Sequence, residues 1–319
     1  MSVATGSAEE KGELRPQFAY LRGEFVPSDQ ACINIQTHAF LYGTAAFEGI
    51  KAYWLPEEGR MAVFRMAEHY QRLLQSCRIL RLKAELSAEQ MGALTLDLVK
   101  RNGHQGPTYI RPIVYKTDLR IGPILLAPNT QDDFCLFSLP LDQYVDTRKG
   151  LHVGVSSWRR LDDNAIPARA KVNGAYVNTA LAKTDAHLCG FDDALVLNQE
   201  GNIAEGSAMN LFLVRDGCLI TPTVSDNILE GITRATVMEL VRAELGLEVV
   251  ARSIDRTELY VADEAFMVGT AAEVAPVTRF DHRPVGDGNI GALTRQIQGL
   301  YTKVVRGQLP QYDHWLARV

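Results

Sequence analysis

The sequence predicts an α/β protein built from two mixed domains. Three observations carry that reading. Strand-like alternation and helical apolar stripes succeed one another in both halves. Apolar density falls over "LPLDQYVDTRKG", residues 139–150, where Pro and Asp appear. The chain has 319 residues, about twice the ~150 of an average domain. Residues 1–16 read as a mobile tail, 17–140 as a smaller domain, 141–150 as a linker and 151–319 as a larger domain.

The elements follow in order. "MAEHYQRLLQSCRILRL" puts Met66, Tyr70, Leu73, Leu74, Cys77 and Leu80 on one helical stripe. "SAEQMGALTLDLVKRNG" opens with Ser87 and Gln90 as a capping box and stops at Gly103. "PTYIRPIVYK" and "DFCLFSL" read as strands, and "LHVGVSSW" restarts the pattern after the linker. A helix is expected from about Ala175 to Leu188, followed by the strand "ALVLN". "NLFLVRDGCLIT" is a hairpin turning at Asp216-Gly217. A helix from about Thr233 to Leu245, the strands "LEVVARS" and "EAFMVG", and a helix from about Ile290 complete the chain.

Composition excludes several function classes. The 33 basic and 38 acidic residues leave a net charge of −5, which draws neither nucleic acid nor an anionic membrane. No apolar run approaches the ~18 residues of a membrane helix, and the N-terminus lacks a secretory apolar core. The five cysteines contain no CxxC pair and are expected to be buried free thiols in a reducing cytoplasm. The histidines show no metal spacing, so no metal is expected. "GDGNIG" matches a dinucleotide fingerprint, but "DHRPV" precedes it and no βαβ unit follows. It reads as a glycine turn into a helix, and the nicotinamide-dependent oxidoreductase it would imply is disfavoured.

Three stretches carry chemistry. In "AKVNGAYVN", Lys171 lies between a strand and a helix, beside Asn173-Gly174, which let the backbone turn and a flat ring approach. A lysine shielded from water loses its proton more readily and can form an imine with an aldehyde. In "NIAEGSAMN", Glu205 precedes a Gly-Ser turn, where a carboxylate can keep a pyridine nitrogen protonated. "LEGITRATV" and "VGTAAEV" offer free N–H groups and threonine hydroxyls to a phosphate, and Arg65 ends "MAVFR" as a candidate cation. Each alone is matched by a plain alternative: a solvated lysine, a turn glutamate, an ordinary N-cap.

Together and in order, "THAFLYGTAAFEGIKAY", "VFRMAEHYQRL", "YIRP", "SSW", "AKVNGAYVNTALAK", "AEGSAMNLF", "LEGITR" and "ADEAFMVGTAAEVAPV" resemble the class IV (fold type IV) pyridoxal-phosphate enzymes, most nearly the branched-chain amino-acid aminotransferases. The resemblance implies pyridoxal 5′-phosphate bound through Lys171, with Lys171 also shuttling the substrate proton. It implies that Glu205 pairs with the ring nitrogen and Tyr176 with the phenolic oxygen. Arg65, Ile232, Thr233 and Thr270 would hold the phosphate. Tyr109 and the amides near Thr270 and Ala271 would take the α-carboxylate, while Phe47, Gly49 and Ala272 line the side-chain pocket. Arg111 would meet glutamate's distal carboxylate, with Tyr42 and Tyr144 as helpers, one of them from a partner subunit.

The activity implied is transamination of Leu, Ile or Val with 2-oxoglutarate, by a cytoplasmic homodimer or dimer-based oligomer. Its partners would be small amino acids and 2-oxo acids. Other class IV activities (D-amino-acid transaminase, R-selective amine transaminase, aminodeoxychorismate lyase) are the near alternatives, and a non-catalytic binding protein is a remote one. The chain departs from the family pattern at Ala208 and Met209, where Gly and Glu are expected, and at Leu141, where an aromatic is expected. The segment "RIGPILLAPNTQDD" also reads as a modified mobile loop.

Overall fold

A computed structural model describes residues 17–126, 132–142 and 144–319. The expected tail at 1–16 therefore lies outside the described residues, as do part of the expected mobile loop and Gln143 of the linker.

The first half forms strands β1 (Phe18–Leu21), β2 (Glu24–Pro27), β3 (Ala45–Phe47), β4 (Ile50–Leu55), β5 (Arg60–Phe64), β6 (Thr108–Lys116) and β7 (Asp132–Pro140). Its helices are α1 (His38–Tyr42), α2 (Met66–Ile79) and α3 (Ala88–Asn102). After residue 150 come β8 (Leu151–Arg159), α4 (Tyr176–Leu188), β9 (Asp193–Leu197), β10 (Ile203–Gly206), β11 (Asn210–Arg215) and β12 (Cys218–Thr221). Then follow α5 (Ile232–Leu245), β13 (Val249–Ala251), β14 (Glu264–Gly269), β15 (Glu273–Phe280), β16 (Arg283–Pro284), α6 (Ala292–Val305) and β17 (Leu316–Arg318).

Two sheets result, one ordered β17-β5-β4-β6-β7-β1-β2 with β3 on β6, the other β10-β9-β8-β15-β14-β11-β12-β13 with β16 on β15. Strands β1 to β7 fall in the first sheet and β8 to β16 in the second. The division is not clean, because β17 returns from the C-terminus to pair with β5, Leu316 opposite Phe64. Hydrophobic burial explains the return. Tyr53, Leu55, Phe64, Trp315 and Leu316 share one core with Phe212, Phe266, Leu240 and Val304. The two halves are thus joined by buried apolar surface, which resists relative movement.

Local rules explain the elements. β6 and β7 alternate buried and half-buried residues, one face being covered by α2 and α3 through Tyr70, Leu73, Met91 and Leu98. β11 and β14 are apolar on both faces because helices cover one side and a second cluster covers the other. The capping box joins Ser87 and Gln90, and Gly103 ends that helix with a left-handed φ of 61°. The hairpin turns at Asp216 and Gly217, φ 51° and 74°, as a primed turn requires.

Two expectations need correction or a different reason. Only Cys77 is buried; Cys135 is partly covered, and Cys32, Cys189 and Cys218 are exposed. Cys189 sits just past the end of α4 and Cys218 directly after the hairpin turn, so neither reaches a packed face. The "GDGNIG" turn does lead into α6, but that helix's N-terminus is already filled. Glu264 accepts from the Leu293 and Thr294 amides at 3.0 and 2.8 Å and from the Thr294 hydroxyl at 2.7 Å. An internal carboxylate stands where a dinucleotide's phosphate would sit.

Candidate active site

Between the two sheets lies a cavity with two adjoining lobes. Lys171, Tyr176, Arg72, Thr179, Ser207, Ala208, Met209 and Thr270 line both. The lysine is fixed from the opposite half of the molecule. Its N–H donates to Ser76 Oγ of α2 at 3.1 Å, and its carbonyl accepts from the Phe47 amide at 3.1 Å. Val172 forms a bridge with Ala46. Gly174 packs on the backbone of Gly43, where a Cβ on Gly43 would meet the Gly174 Cα at 2.7 Å. The clash makes Gly43 the constrained residue, and its φ of 67° also favours glycine; a Cβ on Gly174 would only touch the Gly43 carbonyl oxygen at 3.4 Å.

At the junction, Lys171 Nζ donates to Tyr176 Oη at 2.6 Å. The ammonium also lies 4.9 Å from the centre of the Phe47 ring, which itself meets Tyr176 edge-on.

The inner lobe carries Glu205 on its floor. Burial pushes the Glu205 carboxyl above the usual carboxylate range, and the Arg160 guanidinium and the Leu229 amide oppose that rise. The bonds are Arg160 at 2.9 Å, Asn210 Nδ2 at 2.9 Å and the Leu229 amide at 3.1 Å. At another side stand Gly231, Ile232 and Thr233, the opening of α5, with Gly269 and Thr270 beside them. Gly231 has to be glycine, since a Cβ would collide with Asn210 Oδ1. The Thr233 hydroxyl bonds Tyr301, which bonds Tyr53, and Tyr53 donates to Glu273 at 3.1 Å.

The outer lobe, about 560 Å³, is lined by Phe47, Gly49, Tyr109, Arg111, Leu141, Tyr144, Ala271 and Ala272. Arg111 donates to Tyr109 Oη from Nε at 3.0 Å and from Nη2 at 2.7 Å, and stacks on Phe47 with its guanidinium carbon 4.3 Å from the ring centre. Tyr109 Oη stands over Gly49, where any Cβ would strike it. Lys183 donates to Tyr144 Oη at 3.0 Å.

Thirteen of the fifteen residues the sequence singles out thus line this cavity; Arg65 and Tyr42 do not. Arg65 takes a left-handed φ of 53° before α2, reaches Glu68 and Glu239 at 2.7 and 2.8 Å, and lies over Trp315. Its Nε is buried and unpartnered. Tyr42 Oη accepts from the Gly122 amide at 3.0 Å on an exposed surface. Sequence reasoning missed Arg72, Arg160, Lys183 and Ser207. The overlooked signal for Arg72 was periodic. His69, Arg72 and Ser76, at i, i+3 and i+7, are polar yet buried on α2.

These residues fit a flat aromatic aldehyde bearing a phosphate. The donor set provides an amine, a phenol, a buried carboxylate and a helix N-terminus. Ser207 Oγ, buried on the lining, has no hydrogen-bond partner. A lysine in such surroundings can condense with a carbonyl, and the helix opening favours an anion.

A profile of the amino-transferase class IV family matches residues 45–280. A probable branched-chain-amino-acid aminotransferase of Aquifex aeolicus is 46% identical over 302 residues, covering 95% of this chain and 96% of that protein. The crystal structure of branched-chain amino acid aminotransferase from Thermobaculum terrenum in its PLP form superposes with a TM-score of 0.91 at 37% identity, covering 96% of this chain and 99% of that one. The branched-chain aminotransferase of the thermophilic archaeon Thermoproteus uzoniensis, crystallised with norvaline, gives 0.90 at 37%, with 95% and 99% covered.

Proposed function

The chain belongs to the amino-transferase class IV family, and on that premise we propose that it is a pyridoxal-phosphate-dependent transaminase. It exchanges the amino group of branched-chain L-amino acids with 2-oxoglutarate. The observation that carries the reading is the 2.6 Å contact between Lys171 Nζ and Tyr176 Oη, where a lobe ending in Glu205 meets a lobe ending in Arg111.

When bound, pyridoxal phosphate supplies an aldehyde for amino groups and a ring that accepts electron density from the substrate's Cα–H bond. Lys171 would hold the cofactor and, once released as a free amine, would move the proton at the substrate Cα. Tyr176 orients the Lys171 nitrogen and would hold the cofactor's phenolic oxygen. Glu205, its proton affinity raised by burial, would hold the ring nitrogen's proton. The amides of Ile232 and Thr233, with Thr270, would hold the phosphate; Arg65, paired with Glu68 and with Glu239 in the middle of α5, is turned to those carboxylates instead. Tyr109 and the amides around Ala271 would orient the substrate carboxylate, and Phe47, Gly49 and Ala272 exclude water from its side chain. Arg111, stacked at the wall of the apolar lobe, would receive glutamate's second carboxylate, so one pocket serves both half-reactions.

The active assembly is a homodimer. Ile35, Phe40 and Ile121 are 76%, 66% and 80% exposed, an apolar cluster beside Tyr42 suited to burial against a second copy. Among the described residues no helix is long and apolar enough to cross a membrane.

Borohydride reduction of the cofactor-loaded protein, followed by peptide mapping, tests the core of the proposal. A label on Lys171 is expected, and a label elsewhere or none refutes it. Turnover of L-leucine, D-alanine and a chiral amine measured side by side tests the substrate. Activity with D-alanine or the amine but not with leucine would sink the branched-chain assignment.

A further inference from the structure

One buried guanidinium touches both lobes yet has no role in the chemistry above. Arg72 lies on α2 and is 8% exposed. Its Nε and Nη2 each donate to a different oxygen of Glu48 at 2.7 Å, and its Nη1 donates to the Glu230 carbonyl at 2.7 Å. Glu48 is fully buried and takes a further contact from His69 Nδ1 at 2.8 Å.

The two acceptors stand at strategic points. Glu48 lies between Phe47 and Gly49, which line the outer lobe, and the Phe47 amide also holds the Lys171 carbonyl. Glu230 lies between Leu229, whose amide donates to Glu205, and Gly231, the N-cap of α5. Ser76, four residues beyond Arg72 on the same helix, holds the Lys171 amide. One face of α2 therefore grips the lysine, the substrate-side strand and the turn that opens α5.

A buried ion pair is a poor source of stability, because desolvation of both charges offsets their attraction; an apolar pair of similar size does as well or better. What a forked guanidinium adds is fixed direction, bidentate to a carboxylate with donors left for a third group.

We infer that Arg72 is a positioning residue: by joining Glu48 to the Glu230 carbonyl, it sets the Leu229–Gly231 turn, and with it the amides opening α5, relative to Lys171. Arg72 acts through these groups, not on the substrate. The inference rests on the proposed cofactor site.

Arg72→Lys tests it, because lysine keeps the charge but cannot hold both acceptors in this geometry. With the full chain, pyridoxal phosphate is expected to dissociate about tenfold more readily, the effect of losing one charge-assisted hydrogen bond. Amide hydrogen exchange at 229–233 is expected to quicken in the cofactor-free protein, while its melting temperature stays within about 2 °C of the parent. A merely structural role would lower the melting temperature and leave cofactor affinity and exchange at 229–233 unchanged; that result overturns the inference. Should Arg72→Lys not fold, Glu48→Gln carries the test, with weaker cofactor binding expected and unchanged binding refuting it. Borohydride labelling of the parent keeps the two proposals apart. An unlabelled Lys171 sinks the cofactor site, whereas a labelled parent with unaltered variants sinks only the role of Arg72.

Discussion

The two lobes of the cavity are built differently. In the inner lobe, polar groups hold one another: Lys171 to Tyr176, and Glu205 to Arg160, Asn210 and Leu229. In the outer lobe, shape dominates. Tyr109 presses over Gly49, Arg111 lies flat on Phe47, and Leu141, Ala271 and Ala272 fill the wall. The difference separates chemistry from choice. Reacting groups need fixed directions, which buried hydrogen bonds supply. Selecting an apolar side chain needs excluded volume, which packing supplies. Damage to the inner lobe should therefore stop the reaction for every substrate, and damage to the outer lobe should change which substrate reacts.

The largest expected effect is at Lys171. Lys171→Ala removes both the covalent anchor and the proton carrier, and turnover of every amino donor should fall on the order of 10⁴-fold or more. Steady-state assays with leucine and glutamate as donors check it. A loss confined to one donor would mean that the inner lobe is not general to the chemistry.

Arg111→Met should divide the substrates. The efficiency with 2-oxoglutarate is expected to fall about 10- to 100-fold through loss of a bidentate partner. Leucine's half-reaction, followed as a change in the cofactor's visible absorbance in single turnover, should change less than about threefold. Equal losses for both would place Arg111 with the inner lobe. A smaller shift is expected from Gly49→Ala, whose methyl must displace the Tyr109 hydroxyl. Leucine efficiency should drop by about tenfold, chiefly in KM, with cofactor affinity unchanged. Weakened cofactor binding would show that the lobes are not separable there.

The contrast also explains what the sequence could disclose. The inner lobe comes from short segments in which partners lie close along the chain: Lys171 and Tyr176 five apart, Glu205 and Asn210 five apart, and 229–233 in one turn. Spacing within such stretches reports geometry. Arg72 reaches Glu230 across 158 residues and Arg160 reaches Glu205 across 45, so no local pattern joins them. The return of β17 to β5 was hidden for the same reason, since pairing across the whole chain leaves no mark on either strand's periodicity. Met209 marks the limit of resemblance. It stands where the family pattern carries a glutamate, yet it is buried on the cavity wall, so the charge expected there is absent from this chain.

The weakest expected effect concerns pH, and it asks whether the clamp beneath the lobes is electrostatic. Burial alone would push the Glu48 carboxyl up, but the Arg72 guanidinium and His69 more than reverse this and hold it well below the usual carboxylate range. A depressed carboxylate stabilises the fold above its unfolded pKa, near 4.5, and that stability is lost as pH falls through and below this value. Other paired carboxylates, Glu58 and Glu258 among them, share this sign, so the parent alone cannot report on Glu48. The informative quantity is the difference between the cofactor-free parent and Glu48→Gln, whose amide does not titrate. At pH 7 the variant should melt lower, since Arg72 loses its counter-charge. Between pH 5 and pH 3 the gap should begin to narrow, because Glu48 of the unfolded parent takes up a proton there while the folded parent keeps its carboxylate ionised. Melting curves across that interval decide the matter. A gap that stays constant would mean that folding leaves the Glu48 carboxyl's hold on its proton unchanged, so that no net charge attraction from Arg72 joins α2 to the substrate-side strand.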